Sequence, residues 1–182
     1  EELSFDFRLV TVPEPDTEDK LVVTGFARNR VIRDRLGAYS SVGLPIDGVL
    51  PVGLASFVAA AAINEKQLEI DDTVLVLEIG YEATELSVGQ FTNFVFTRSL
   101  PIGMQHVLKS VAEKRSLRKT QARALMEEAP AGSAAAAQPA LAKLTQAIRE
   151  VYPQCKAQTQ WSAMRPTKII VAGGGAAFAP LR

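Results

Sequence analysis

The chain has 182 residues, 47% apolar and 22% charged, with one cysteine and one histidine. This is the composition of a folded globular protein, and it excludes an internal disulfide and a Cys/His metal cluster. Its 20 basic residues balance 20 acidic ones, which argues against a dedicated nucleic-acid binder and gives no general attraction to an anionic membrane.

The acidic opening Glu1-Glu2-Leu3-Ser4 lacks the character of a secretory signal, and without an initiator Met the chain reads as excised from a longer protein. Leu3 to Val12 alternates, with Leu3, Phe5, Phe7 and Leu9 on one face, which predicts a half-buried strand with that face inward. Pro13 to Asp19 is an acidic, Pro-rich turn, and Lys20 to Phe26 is the hairpin partner. A helix is expected from Asn29 to about Ser40 on the stripe Val31, Ile32 and Leu36, then a short strand from Ile46 to Leu50. Val49 to Ile63 is the longest apolar stretch. It is broken by Pro51, Gly53 and Ser56 and falls short of the roughly 20 residues that cross a bilayer, so Pro51 to Ile63 is read as a buried helix.

Thr73 to Ile79 is a nearly continuous apolar run, the signature of a strand covered on both faces. A tight turn at Gly80 to Ala83 leads to strands at Thr84 to Val88 and Phe94 to Leu100, and Pro101-Ile102-Gly103 launches a helix from Met104 to Lys114. Ser116 to Glu128 is a further helix, and the low-complexity Ala129 to Pro139 is expected to be a mobile loop. Ala140 to about Gln160 is a long helix that Pro153 should kink. Lys168 to Ala172 is a buried strand, followed by Gly173-Gly174-Gly175 and the opening of a helix at Ala176 to Leu181. His106 reads as a helix-surface residue, Arg98 as an exposed strand arginine, and Cys155, Trp161 and Met164 as packing residues.

Three stretches, VLVLEIGYEATELSVG (Val74 to Gly89), FVFTRSLPIG (Phe94 to Gly103) and IIVAGGGAAFAPL (Ile169 to Leu181), come in a telling order. The first two resemble the second phosphate-binding hairpin of the actin and sugar-kinase superfamily, and the third resembles its adenosine-binding turn. TRSLPIG followed by a late triple glycine is most similar to the PilM family of type IV pilus assembly, with FtsA and the GspL cytoplasmic domain as relatives. The GFARNR and GLPIDGVLPVGLA passages resemble the segment where a small inserted subdomain returns to the main lobe.

The resemblance implies an α/β fold: an actin-like, ribonuclease H-like mixed sheet with flanking helices and a small inserted α+β subdomain, truncated. Residues 1–50 would be that subdomain returning to the first lobe, 51–70 a linking helix, and 71–182 the second lobe with an incomplete C-terminus. The turns near residues 80 and 174 would face each other across one interlobe cleft. Glu78, Gly80, Thr84, Gly173, Gly174 and Gly175 would be the nucleotide-binding residues, with ATP and Mg²⁺ the family's ligands; no catalytic residue and no metal ligand is identified. Small turns expose N–H groups that favour anions, and glycine lets backbone approach a ligand closely.

Glu78 stands where the family has Asp, while Tyr81 and Glu82 stand where small hydroxyl residues are usual. A carboxylate beside a triphosphate is repulsive by about 1 kcal/mol or more, so the resemblance implies degenerate nucleotide binding. The superfamily's first phosphate loop has no counterpart in these residues. The implied role is a cytoplasmic scaffold at the inner membrane that binds the cytoplasmic tail of a bitopic pilus or secretion protein. No nucleic acid and no membrane insertion are expected, and homo-oligomerisation is left open. An active ATPase or sugar-kinase-like enzyme, or an FtsA-like filament protein, is the alternative.

Overall fold

The computed structural model describes residues 2–13 and 20–181, so the turn expected at Pro13 to Asp19 lies almost wholly outside the described residues. The chain begins with a two-stranded antiparallel hairpin, β1 (Leu3–Thr11) and β2 (Lys20–Arg28), followed by α1 (Asn29–Ser40). The expected strand forms, but it is covered only at its end, and not on the face expected. Val10 and Val12, with Leu21 and Val23 from β2, enter the core, and the Asn93 side-chain amide donates to the Thr11 carbonyl (2.9 Å). Leu3, Phe5, Phe7 and Leu9 are instead more than half exposed. Residues 46–50 form no strand and run extended into α2 (Val52–Asn64).

The main sheet has the order β5-β4-β3-β6, from β3 (Thr73–Ile79), β4 (Thr84–Gln90), β5 (Asn93–Leu100) and β6 (Lys168–Ala172). The first three are an antiparallel meander, while β6 lies parallel to β3 in the register Val74↔Lys168 to Glu78↔Ala172. α2 packs on the sheet through Phe57, Ala60 and Ala61, and Phe57 meets Phe94 edge-on at 5.7 Å between ring centres. The long helix at the C-terminal side contributes Leu144, Val151 and Cys155 to the same core, which Trp161 and Met164 complete. Burial pushes the Cys155 thiol up to about 12, so it is a packing group and no nucleophile at neutral pH.

A second apolar cluster joins α3 (Met104–Arg115), α4 (Lys119–Glu128) and α5 (Pro130–Thr159). The stretch expected to be a loop is the first third of α5, a helix of 30 residues. Pro130 stands where a helix start tolerates proline, and the alanines that follow carry the strongest helix propensity of any residue. Ser133, Ala136, Ala137 and Ala140 are buried, and their small size lets α5 lie close to Val107 and Val111 of α3. The Ser110 hydroxyl donates to the Ala136 carbonyl (2.7 Å), and Arg115 donates to the Gly132 carbonyl. The helix runs unbroken past Pro139 and Pro153. After β6, two short 3-10 turns, Gly174–Ala177 and Ala179–Leu181, replace the expected helix opening.

The parallel pair is pinned at its start by Asp72, which the sequence reading passed over. Its carboxylate accepts the Thr167 hydroxyl (2.6 Å) and the Glu69 N–H (2.9 Å) and faces the Lys168 ammonium at 4.0 Å. The Thr73 N–H donates to the Thr167 hydroxyl and the Thr167 N–H to the Thr73 carbonyl. The Glu69 N–H, then the Thr167 hydroxyl and Lys168, hold the Asp72 carboxyl below the usual carboxylate range. A depressed folded pKa gives stability that is present above the unfolded value of about 3.9 and is lost as pH falls through the folded one. Asp72→Asn should therefore lower the urea midpoint at pH 7, and the gap to the unaltered protein should close in the acid range. A gap that is constant down to pH 3 would contradict this account.

Candidate functional site

Because β3 and β6 run parallel with Glu78 level with Ala172, the turns that follow them leave the sheet at one edge. The structure therefore brings the two glycine turns together, as neighbours on the floor of one cavity. Gly80, Tyr81, Gly174 and Gly175 line a cavity of about 460 Å³, walled by Met104 and Leu108 of α3, Met126 of α4, Pro130 of α5, and Ala177 with Phe178. Arg123 and Glu127, one turn apart on α4, are the charged side chains among the described lining residues.

The three glycines of the late turn have separate reasons. Gly173 has φ +81°, and a Cβ there would stand 2.6 Å from Glu78 Oε1 and 2.8 Å from the Ile79 carbonyl oxygen. Gly175 packs so closely that a Cβ would lie 2.4 Å from Ile79 Cγ2. Gly174 meets nothing within 4 Å, so neither packing nor backbone angle requires a glycine there, and its bare backbone faces the cavity.

The other turn is fastened to α3. The Gly80 N–H donates to the Ala83 carbonyl (2.9 Å), the Met104 N–H to the Gly80 carbonyl (2.9 Å) and the Gln105 N–H to the Tyr81 carbonyl (2.8 Å). Gly103 fits against the backbone of residues 81–83, where a Cβ would come within 2.7 Å of three atoms. His106, expected as a plain helix-surface residue, accepts the Gly103 N–H on Nδ1 (3.1 Å) and so caps the helix. The Gly80 N–H, which the resemblance turned toward phosphates, is thus bonded inside the protein, as are the first N–H groups of α3.

Thr84 is fully buried, and its hydroxyl donates to the Ile102 carbonyl (2.7 Å), so it secures the turn and does not line the cavity. Glu78 lies between the two glycine turns and directly across the strand pair from Glu85. Burial, and after it the Glu85 carboxylate, hold the Glu78 carboxyl above the ordinary glutamate range. Among the described residues no group of three or more Asp, Glu, His or Cys is placed to hold a metal ion. The cavity's walls are largely apolar and its floor is the backbone of the glycine turns; Glu78 does not line it. The wall residues were missed in the sequence reading, although the i, i+4 spacing of Arg123 and Glu127 beside the buried Ala122 was a usable sign of a two-faced helix. No helix among the described residues is long and apolar enough to cross a membrane.

The family described as type IV pilus assembly protein PilM matches residues 1–182. Among solved structures, a chain of a PilM-PilN type IV pilus biogenesis complex is similar with TM-score 0.73 and 24% identity, over 97% of this chain and 51% of that one. The ethanolamine utilization protein EutJ from Carboxydothermus hydrogenoformans gives TM-score 0.61 at 17% identity, over 79% and 48%. MreB 5 of Spiroplasma citri, bound to AMPPNP, gives 0.56 at 14%, over 84% and 55%. The fold is thus actin-like, and the chain spans about half the length of these solved chains. No curated protein matches.

Two substitutions separate turn geometry from cavity surface. Gly173→Ala should destabilise the fold by about 1–3 kcal/mol, because its backbone angle is strained for alanine. Gly174→Ala should stay within about 0.5 kcal/mol of the unaltered protein; denaturant titration distinguishes them. Glu78→Gln should raise stability at pH 7. A raised folded pKa means that stability is full below about pH 4 and is lost as pH climbs through the folded value, so the advantage should vanish in acid. Thermal melts at pH 4 and 7 check the sign.

Proposed function

The chain belongs to the type IV pilus assembly protein PilM family, and from that premise we propose that it acts as a cytoplasmic scaffold at the inner membrane, binding the cytoplasmic tail of a bitopic partner in the manner of the PilM-PilN pair. The observation that carries the reading is the apolar face of the β1–β2 hairpin. Leu3, Phe5, Phe7 and Leu9 stand on one side of β1, and the register puts Val22 and Phe26 of β2 on the same side. All six are 56% exposed or more, and Phe5 and Phe26 sit 6.3 Å apart between ring centres. A contiguous apolar patch of this kind marks an interaction surface, and a two-stranded hairpin gains stability when another element covers it. Leu44, Val49 and Leu50, before α2, are also more than half exposed. An extended or helical tail with spaced apolar anchors fits such a face.

Nucleotide acts in this reading as a conformational ligand of the glycine-floored cavity, shifting the populations of two arrangements with little turnover.

The tail interaction is tested with the full-length protein and a peptide of the neighbouring bitopic protein's cytoplasmic tail. Phe5→Ser with Phe26→Ser should weaken binding by at least tenfold, as loss of aromatic anchors does. Thermal stability should hardly change, since both rings are exposed. Unchanged peptide affinity in a folded double variant would remove this face as the docking surface.

A further inference from the structure

We propose that the basic corner between α3 and α4 docks a second copy of this chain, receiving the acidic link that joins its β1 to its β2. Four of the six residues 114–119 are cations, Lys114, Arg115, Arg118 and Lys119, and four of the six residues 14–19 are acids, Glu14, Asp16, Glu18 and Asp19. No other window of six residues in the chain holds four charges of one sign. The protein as a whole is neutral, so its two densest concentrations of charge are opposite in sign and equal in number, which is the complementarity that selects a partner and speeds its encounter.

All four cations of the corner are exposed. Glu113, the nearest acid before them, pairs with Lys109 on its own helix (3.9 Å), and residues 114–126 contain no acid. Among the described residues no carboxylate forms an ion pair with any of the four. Four neighbouring like charges repel one another, and an acidic partner relieves that repulsion. The link cannot be the partner within one copy. Its base, Thr11 paired with Lys20, is tied to Asn93 at the end of the sheet where β3 begins. Eight residues that leave β1 and return to β2 extend about 16 Å at most. β3 alone covers about 20 Å before the glycine edge. The corner lies beyond that edge, at the end of α3, whose Val107, Leu108 and Val111 pack in the second apolar cluster and not in the core under the sheet. The match is therefore made between copies. Because it joins a corner to a link, each copy offers one of each, and the contact can propagate head to tail or close on itself.

The test is sedimentation velocity of the full-length protein over a range of concentrations. The expected result is association at about 20 mM salt that is lost at about 0.5 M, where exposed charges are screened. Arg118→Glu with Lys119→Glu should weaken association by about tenfold or more. Both positions are exposed and open a helix, where acidic side chains are favourable, so this variant should melt as the unaltered protein does. Glu14→Lys with Glu18→Lys should weaken association to the same degree. An equal mixture of the two reversed variants should associate again, since the reversed link then meets the reversed corner, and a corner that merely stabilised its own helices would show no such rescue. Phe5→Ser with Phe26→Ser should leave association unchanged, which separates this contact from the tail-binding face. A protein that stays monomeric at low salt, association indifferent to salt or to both charge reversals, or a mixture that fails to recover would each overturn the proposal.

Discussion

The parallel contact between β3 and β6 governs the arrangement of the functional end of this molecule. The strands are far apart in the chain, Thr73 and Thr167 being separated by 94 positions, so their pairing closes a large loop at an entropic cost that local contacts do not repay. Asp72 and Thr167 settle the register at the outset, with one carboxylate receiving a hydroxyl and a backbone N–H. From that point the strands advance in step, and Ile79 and Ala172 end at the same edge of the sheet. A slip by one residue would turn the β6 side chains to the opposite face and carry Gly173 away from Glu78.

What the shared edge then builds is a site of mixed character. The glycines supply close approach, the helices α3 and α4 supply apolar walls, and Glu78, paired across the strands with Glu85, lies beside the turns that form the floor. Opposed charges of like sign across a strand pair cost stability, so Glu78 is held at a thermodynamic disadvantage. The hairpin face at the other end of the chain follows the same logic, since six large apolar side chains in water are a cost that a covering partner removes.

Much of this was legible in the sequence, and the reasons for the exceptions are physical. The meander from Thr73 to Leu100 was readable because the apolar run, the Gly80 turn and the alternation of the next strands all indicate one structure. The glycine turns were found for the same reason. The first third of α5 was misread because low complexity was weighted above the helix propensity of alanine, and because nothing local shows that small side chains allow close packing on α3. The burial of β1 was misread because alternation defines two faces but does not say whether either meets the core; only Val10 and Val12, at the strand's end, do so through contacts with distant strands. Thr84 looked like a ligand-facing hydroxyl, whereas its partner, the Ile102 carbonyl, is set by a turn eighteen positions later. The cavity wall is drawn from four separated elements, and no local pattern encodes such a meeting.

The length of α5 has a mechanical meaning. Its first residue, Pro130, borders the cavity, while Cys155 near its other end is clamped under the sheet against Met164. A helix of 30 residues is about 45 Å long, so a pivot of roughly 5° at one end sweeps the other through about 4 Å. The rim of the cavity and the packing around Cys155 beneath the sheet are thus two ends of one continuous rod.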